Sequence, residues 1–189
     1  MRAVFLDRDG VLNQEVGYIR QRHNLYLMPK AAEAVALLNQ AGWFTCLVSN
    51  QSGPARGYYG QDHVDGLHQR LGELLWQAAG ARLDSVSYCP YLSPQAGGVS
   101  PSHTRWSTWR KPNTGMFVQA AWRYDLELGQ CFMVGDKATD VDMAHNAGVR
   151  AVLVTSGFGE RVLGGDYQHT VKPDFVAPDL WGAVNWLVG

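Results

Sequence analysis

Three short apolar runs, RAVFLD, WFTCLVSN and QCFMVGD, each break off at polar residues: Asp7, the Ser49-Asn50 pair, and Gly135-Asp136. Runs this short and this continuously apolar are expected to form strands buried on both faces, which is the pattern of parallel sheets. RAVLVT is a fourth such run, DSVSYC a more polar one suited to a sheet edge, and DFVAPDLWGAVNWLVG closes with a short extended piece and a helix. Between them lie helical patterns. Pro29 opens one with Ala31, Ala34, Val35, Leu38 and Ala41 on its inner face, ended by Gly42. A second runs from Asp62 to Ala79 with Val64, Leu67, Leu71, Leu74, Leu75 and Ala78 inward. A third carries Phe117, Ala120, Ala121 and Tyr124, and a fourth spans Ala138 to Asn146. The alternation predicts an α/β fold: a Rossmann-like open parallel sheet with helices on both faces. The whole chain, 1–189, fits one domain, with no internal repeat or linker. Only the stretch 90–112, rich in Ser, Pro and Gly, lacks periodicity, and a loop of that length is either functional or disordered.

Charge narrows the possible partners. A formal net charge of −1 leaves no basic field to hold nucleic acid or an anionic membrane, so any phosphate recognition must be local. Cys46, Cys89 and Cys131 are scattered and read as small buried hydrophobes in a reducing compartment. No apolar run suits a bilayer span and no signal peptide precedes the first strand, so a cytoplasmic monomer acting on a small phosphorylated metabolite is expected.

Open parallel sheets bind ligands beyond the carboxyl ends of their strands, which makes the three polar stops the place to look. Two carboxylates as close as Asp7 and Asp9 are costly unless a cation sits among them or one holds a proton. With Asp136 arriving from another strand they would make an oxygen cage suited to Mg²⁺. At the strand tip, Asp7 can attack phosphorus as a nucleophile. Asp9 can protonate the leaving oxygen and later deprotonate water. Gly10 lets the chain turn away, while Ser49 and Lys111 offer a hydroxyl and a fixed charge to the phosphoryl oxygens.

The ordered set DRDGVLN, SNQSG, RKP and GDKATD resembles the four motifs of the haloacid dehalogenase superfamily, within it the heptose bisphosphate and histidinol-phosphate phosphatases. The likeness runs over nearly the whole chain. It implies Asp7 as nucleophile and Asp9 as general acid and base. It implies Mg²⁺ on the Asp7 carboxylate, the Asp9 carbonyl and Asp136, with Ser49 and Lys111 on the phosphoryl group. Substrate contacts implied by position fall on Glu15, Val16, Gly17 and Tyr18, on Asn50, Gln51 and Ser52, and on Arg110 and Lys137. No large cap domain interrupts the motifs, which weighs against a phosphomutase.

One departure stands out. Relatives hold zinc in the long loop with a Cys-x-His and a Cys-x-Cys pair, but here these positions read Cys89-Pro90-Tyr91 and Ser107-Thr108-Trp109. One ligand of four survives and His103 alone does not complete a tetrahedral site, so zinc is not expected. Tyr91, Trp106 and Trp109 are expected to replace it with an aromatic cluster.

Taken singly, each motif has a plain structural alternative: an Asp pair at a strand end forms turns or caps, and Arg110-Lys111 is an ordinary solvated pair. Asp140 fits a helix-capping role and a supporting role at Lys137 or the metal equally well. His23, His63, His68, His145 and His169 read as surface or helix-face residues, and Trp181 and Trp186 as a core stripe. A receiver-type phospho-accepting domain and a catalytically dead binding module are the competing classes. Joint occurrence at one rim, with every catalytic position filled, favours the phosphatase.

Overall fold

The computed structural model describes residues 1–189. Six parallel strands form one sheet: β1 (Ala3–Leu6), β2 (Phe44–Asn50), β3 (Ser85–Cys89), β4 (Phe132–Gly135), β5 (Arg150–Val154) and β6 (Phe175–Ala177). Their spatial order is β3-β2-β1-β4-β5-β6. The chain winds outward from β1 to the edge at β3, returns across the sheet to β4 beside β1, and then winds out the other way. The carboxyl ends of β1 and β4 therefore flank the topological switch point, where the loops diverge and leave a crevice.

Both faces are covered. Helices α1 (Ala31–Gln40), α2 (Gln61–Ala79) and α6 (Leu180–Val188) share one apolar cluster with Val4, Leu6, Leu47 and Val134. Helices α3 (Gly115–Tyr124), α4 (Ala138–Asn146) and the short α5 (Gly159–Gly164) share another with Phe5, Val48, Met133 and Leu153. Alternate residues of β1 and β4 thus enter opposite cores, which is why those runs are continuously apolar. β3 is the edge, and Val86 on it is 43% exposed.

Several sequence expectations need correction. On α2, Leu74 is half-buried and Ala78 exposed, because the 3.6-residue repeat carries the end of the stripe away from the core. Trp186 is 43% exposed; it stacks on Phe175 at the rim, centroids 4.2 Å apart, rather than filling the core. His68 is buried against the Tyr88 ring, not placed at the surface. The 90–112 loop is tied down: Val99 and Ser100 donate backbone bonds to the Ala55 carbonyl, and Leu92 pairs with Thr104. Its aromatic cluster does not form, since Trp106 is 69% exposed. Instead Tyr91 lies between Arg105, 3.7 Å from the ring centroid, and the stacked His103 ring.

Candidate active site

Asp7 follows β1 directly, and its N–H donates to Val134 O on β4, so the strand ladder itself sets the carboxylate at the switch point. Arg8 N–H donates to Asp7 Oδ1 at 2.7 Å, and Lys111 Nζ lies 2.9 Å from the same oxygen. Lys111 is buried; burial opposes its charge, yet Asp140 and Asp7 hold its pKa above the ordinary lysine value. Asn50, at the end of β2, fixes the Lys111 backbone: its side-chain oxygen accepts from Lys111 N–H and its amide donates to Lys111 O.

Asp9 is gripped from three directions. Arg8 donates to both carboxylate oxygens, while Asn13 and Gln51 add bonds of 2.9 Å each. Burial works against the Asp9 charge, but the Arg8 guanidinium and these donors outweigh it and hold the carboxyl below its usual range. The Gln51 amide also donates to Ser49 Oγ at 2.9 Å, so the Ser49 proton is free for another acceptor.

Asp136 is fully buried just past β4. Its Oδ2 accepts from Phe158 N–H at 2.9 Å and its Oδ1 from Lys137 Nζ at 3.1 Å. Burial pushes it up to about 7 against the pull of Lys137, with the charges of Asp7 and Asp140 adding to the rise. A Cβ on Gly10, which has φ +81°, would lie 2.3 Å from Asp136 Oδ2, and one on Gly157 2.2 Å from it. Both glycines are thus needed for the backbone to close around this carboxylate.

Oxygens of Asp7, Asp136 and Asp140 all lie within 4.8 Å of one another. An all-oxygen, net negative, buried set of this kind fits Mg²⁺ or a similar hard cation. Asp140 is already engaged: Oδ1 sits 2.6 Å from Lys111 Nζ and Oδ2 accepts from Lys137 N–H at 3.0 Å. It therefore caps α4 and holds Lys111 at once; of the three carboxylates only Asp7 keeps an oxygen, Oδ2, with no protein donor, while Asp136 is held by Phe158 N–H and Lys137.

The other residues expected from sequence divide clearly. Glu15 pairs with Lys137 at 2.9 Å, Gly17 N–H closes onto Glu15, and Tyr18 OH meets Ser52 Oγ at 3.1 Å. Arg110 reaches the same cleft, its guanidinium held by Tyr91 O. Val16 is 54% exposed and its side chain lines neither lobe of the cleft. The lobe over Asp7, Asp9 and Lys111 has a volume of about 330 Å³, and its neighbour over Glu15 and Gly17 about 240 Å³. A larger cavity of about 720 Å³ beside α3 carries no titratable side chain and lies apart from these groups. Sequence reasoning missed Arg56, Thr139, Phe158, Tyr167 and Gln168, which also line the two lobes. Arg56 and Thr139 were within reach, the first three residues past the SNQSG motif and the second inside GDKATD; the others had no local signal.

A strand-tip aspartate, a second aspartate two residues on, a buried lysine and an acid beyond β4, on this sheet order, define a hydrolase of the haloacid dehalogenase class. Residues 108–183 match the HAD-hydrolase-like family model. The D-glycero-D-manno-heptose-1,7-bisphosphate 7-phosphatase of Thermosynechococcus vestitus is 62% identical over 185 residues, covering 98% of this chain and 94% of that protein. A D-glycero-beta-D-manno-heptose-1,7-bisphosphate 7-phosphatase of Rhodopseudomonas palustris is 39% identical over 78% of this chain and 79% of that protein. The chain belongs to this heptose bisphosphate phosphatase family. Among solved structures, a D,D-heptose 1,7-bisphosphate phosphatase from B. bronchiseptica, complexed with magnesium and phosphate, superposes with a TM-score of 0.85 at 31% identity. That match covers 99% of this chain and 98% of the other. No helix is long and apolar enough to cross a membrane.

Proposed function

We propose that this chain is a Mg²⁺-dependent phosphomonoesterase that removes the 7-phosphate of D-glycero-D-manno-heptose 1,7-bisphosphate through an aspartyl-phosphate on Asp7. The observation that carries this is the Asp7–Lys111 pair at the switch point, facing Asp136, in a chain 62% identical to a phosphatase of that name.

Lys111 and Arg8 N–H both engage Asp7 Oδ1, which leaves Oδ2 without a protein donor and available to attack phosphorus. The bond from phosphorus to the sugar oxygen breaks as the Asp7–phosphorus bond forms, and Asp9 supplies the proton that the departing oxygen takes up. Against its burial, Arg8, Asn13 and Gln51 favour the anion of Asp9 at rest, so Asp9 takes a proton from water once the phosphate's negative charge raises its proton affinity, and passes that proton to the departing oxygen. Water then attacks phosphorus, Asp9 takes its proton, and Asp7 is released as carboxylate. Ser49 donates its free proton to a phosphoryl oxygen, and Lys111 opposes the charge that builds there. Asp7 and Asp136, with the Asp9 carbonyl, would hold the Mg²⁺, which neutralises the carboxylates and polarises a phosphate oxygen.

Substrate selection rests on charge. Arg56 and Arg110 line the cleft with no carboxylate partner, so a second phosphate is expected between them. The cationic side of histidinol phosphate would meet two guanidinium groups there, which disfavours it. A kcat/KM comparison with Mg²⁺ tests the assignment. Heptose 1,7-bisphosphate should exceed histidinol phosphate by tenfold or more, on the order of one well-made charged contact, whereas fructose 1,6-bisphosphate, which also carries a second phosphate, tests recognition of the sugar. Equal or better turnover of histidinol phosphate would overturn it.

A further inference from the structure

We infer that Tyr167 and Gln168, on the segment between β5 and β6, select substrate by bonding the sugar hydroxyls nearest the scissile phosphate. The inference rests on the sugar-phosphate reading above and concerns how the sugar, rather than its phosphates, is recognised. Both residues line the lobe that also holds Asp7, Asp9 and Lys111, and Tyr167 reaches the second lobe beside Glu15 and Gly17 as well. No other residue of this segment lies against the nucleophile's lobe.

The segment is bolted to the catalytic strands. Ser156 Oγ donates to Gly10 O at 2.8 Å, and Phe158 N–H donates to Asp136 Oδ2. Phe158 and Tyr167 stack with centroids 4.2 Å apart and planes 10° from parallel. Lys137 Nζ lies 5.2 Å from the centroid of Phe158, and Arg161 lies 5.4 Å from that of Tyr167. Arg161 also donates to Asp166 O, closing the turn before Tyr167. The ring of Tyr167 is therefore fixed relative to Asp136.

Gln168 follows with φ 58°, a left-handed conformation that glutamine rarely adopts. The residue is exposed, and it lines the lobe beside Tyr167. Neither the Tyr167 hydroxyl nor the Gln168 amide bonds to another protein group, although both stand at the mouth of a polar cleft. A hydroxyl and an amide on a rigid wall suit a polyol, which presents alternating donors and acceptors. An aryl phosphate offers nothing to either of them.

Two variants test this. Tyr167→Phe keeps the stack and deletes the hydroxyl; Gln168→Gly deletes the amide while relieving the backbone. Each is assayed against heptose 1,7-bisphosphate and against p-nitrophenyl phosphate with Mg²⁺. One neutral hydrogen bond corresponds to about a three- to tenfold change in affinity, so each variant should raise KM for the sugar phosphate by that factor with little change in kcat. The loss of kcat/KM should be at least about threefold larger for the sugar phosphate than for the aryl phosphate. Equal losses on both substrates, or none on either, would overturn the inference. If the wild-type protein prefers a different sugar phosphate, the identification of the heptose fails, and the same comparison run with the preferred sugar still decides the role of Tyr167 and Gln168.

Discussion

Lys111 Nζ lies 2.6 Å from Asp140 Oδ1, so the ammonium that meets Asp7 is anchored by a residue on the first turn of α4. Asp140 is two things together, a cap that accepts from Lys137 N–H and the counter-charge of Lys111. Asp140→Asn keeps an acceptor for the cap and deletes the charge. It is expected to lower kcat about tenfold with a smaller change in KM, because Lys111 is then drawn onto Asp7. Asp140→Ala should in addition lower unfolding free energy by about 1 kcal/mol through the lost cap, read by chemical denaturation.

Replacing the nucleophile is expected to end turnover. Asp7→Asn can neither attack phosphorus nor attract a cation as an anion, so kcat should fall by roughly 10⁴–10⁶. Rapid-quench experiments with labelled substrate should find no phosphate on the protein. Near-normal activity, or full labelling, would place the chemistry elsewhere.

Metal dependence should be visible in stability as well as in rate. Chelator should abolish activity and Mg²⁺ restore it, since Lys111 and Lys137 offset only part of the charge that the three buried acids set against an anionic substrate. Mg²⁺ should raise Tm of the wild-type protein by mass action. Asp136→Asn should shift the Mg²⁺ concentration for half-maximal activity upward about tenfold or more and blunt that Tm rise.

The long loop is expected to need no zinc. Tyr91, Ser107 and Trp109 stand where the motif resemblance implies three metal ligands, and none offers a soft or imidazole donor. Packing by Arg105 and His103 on Tyr91, with backbone bonds from Val99 and Ser100, ties the loop down. Elemental analysis of protein purified without chelator should give far less than one zinc per chain. A stoichiometric zinc removed by Cys89→Ser would show that other ligands had been recruited.

Acid sensitivity should trace in part to His68. Burial pushes its imidazole down to about 3 from the ordinary 6.5, with Arg8 nearby adding to the shift. The unfolded chain therefore binds this proton at a higher pH than the folded one does. The folded state keeps its full margin above about pH 6.5 and loses it as the pH falls from there toward 3, by up to about 1.4 kcal/mol per pH unit. His68→Phe preserves an aromatic partner for Tyr88 and should flatten urea-melt stability between pH 6 and 4. An unchanged slope would remove His68 from the account.

The sequence by itself determined the α/β alternation, the strand cores and the polar residues at their ends. All three are local consequences of periodicity: a strand buried on both faces must be apolar at every position, and its first polar residue marks the rim. Asp7, Ser49 and Asp136 could be placed at one edge on that ground alone; the chemistry of paired carboxylates and of a fixed positive charge singled out Asp9 and Lys111, and the motif resemblance agreed. Local period did place His68 on the buried stripe of α2, four residues after Val64 and three before Leu71, but it could not say that the Tyr88 ring closes over it. Nor could it resolve Asp140, whose capping bond is local but whose partner Lys111 is brought in by the crossover from β3 to β4. Arg56, Phe158, Tyr167 and Gln168 became part of the cleft only when loops from β2 and β5 met over the switch point. Side chains contributed by distant loops carry no periodic signal, because what places them is the order in which the strands are laid side by side.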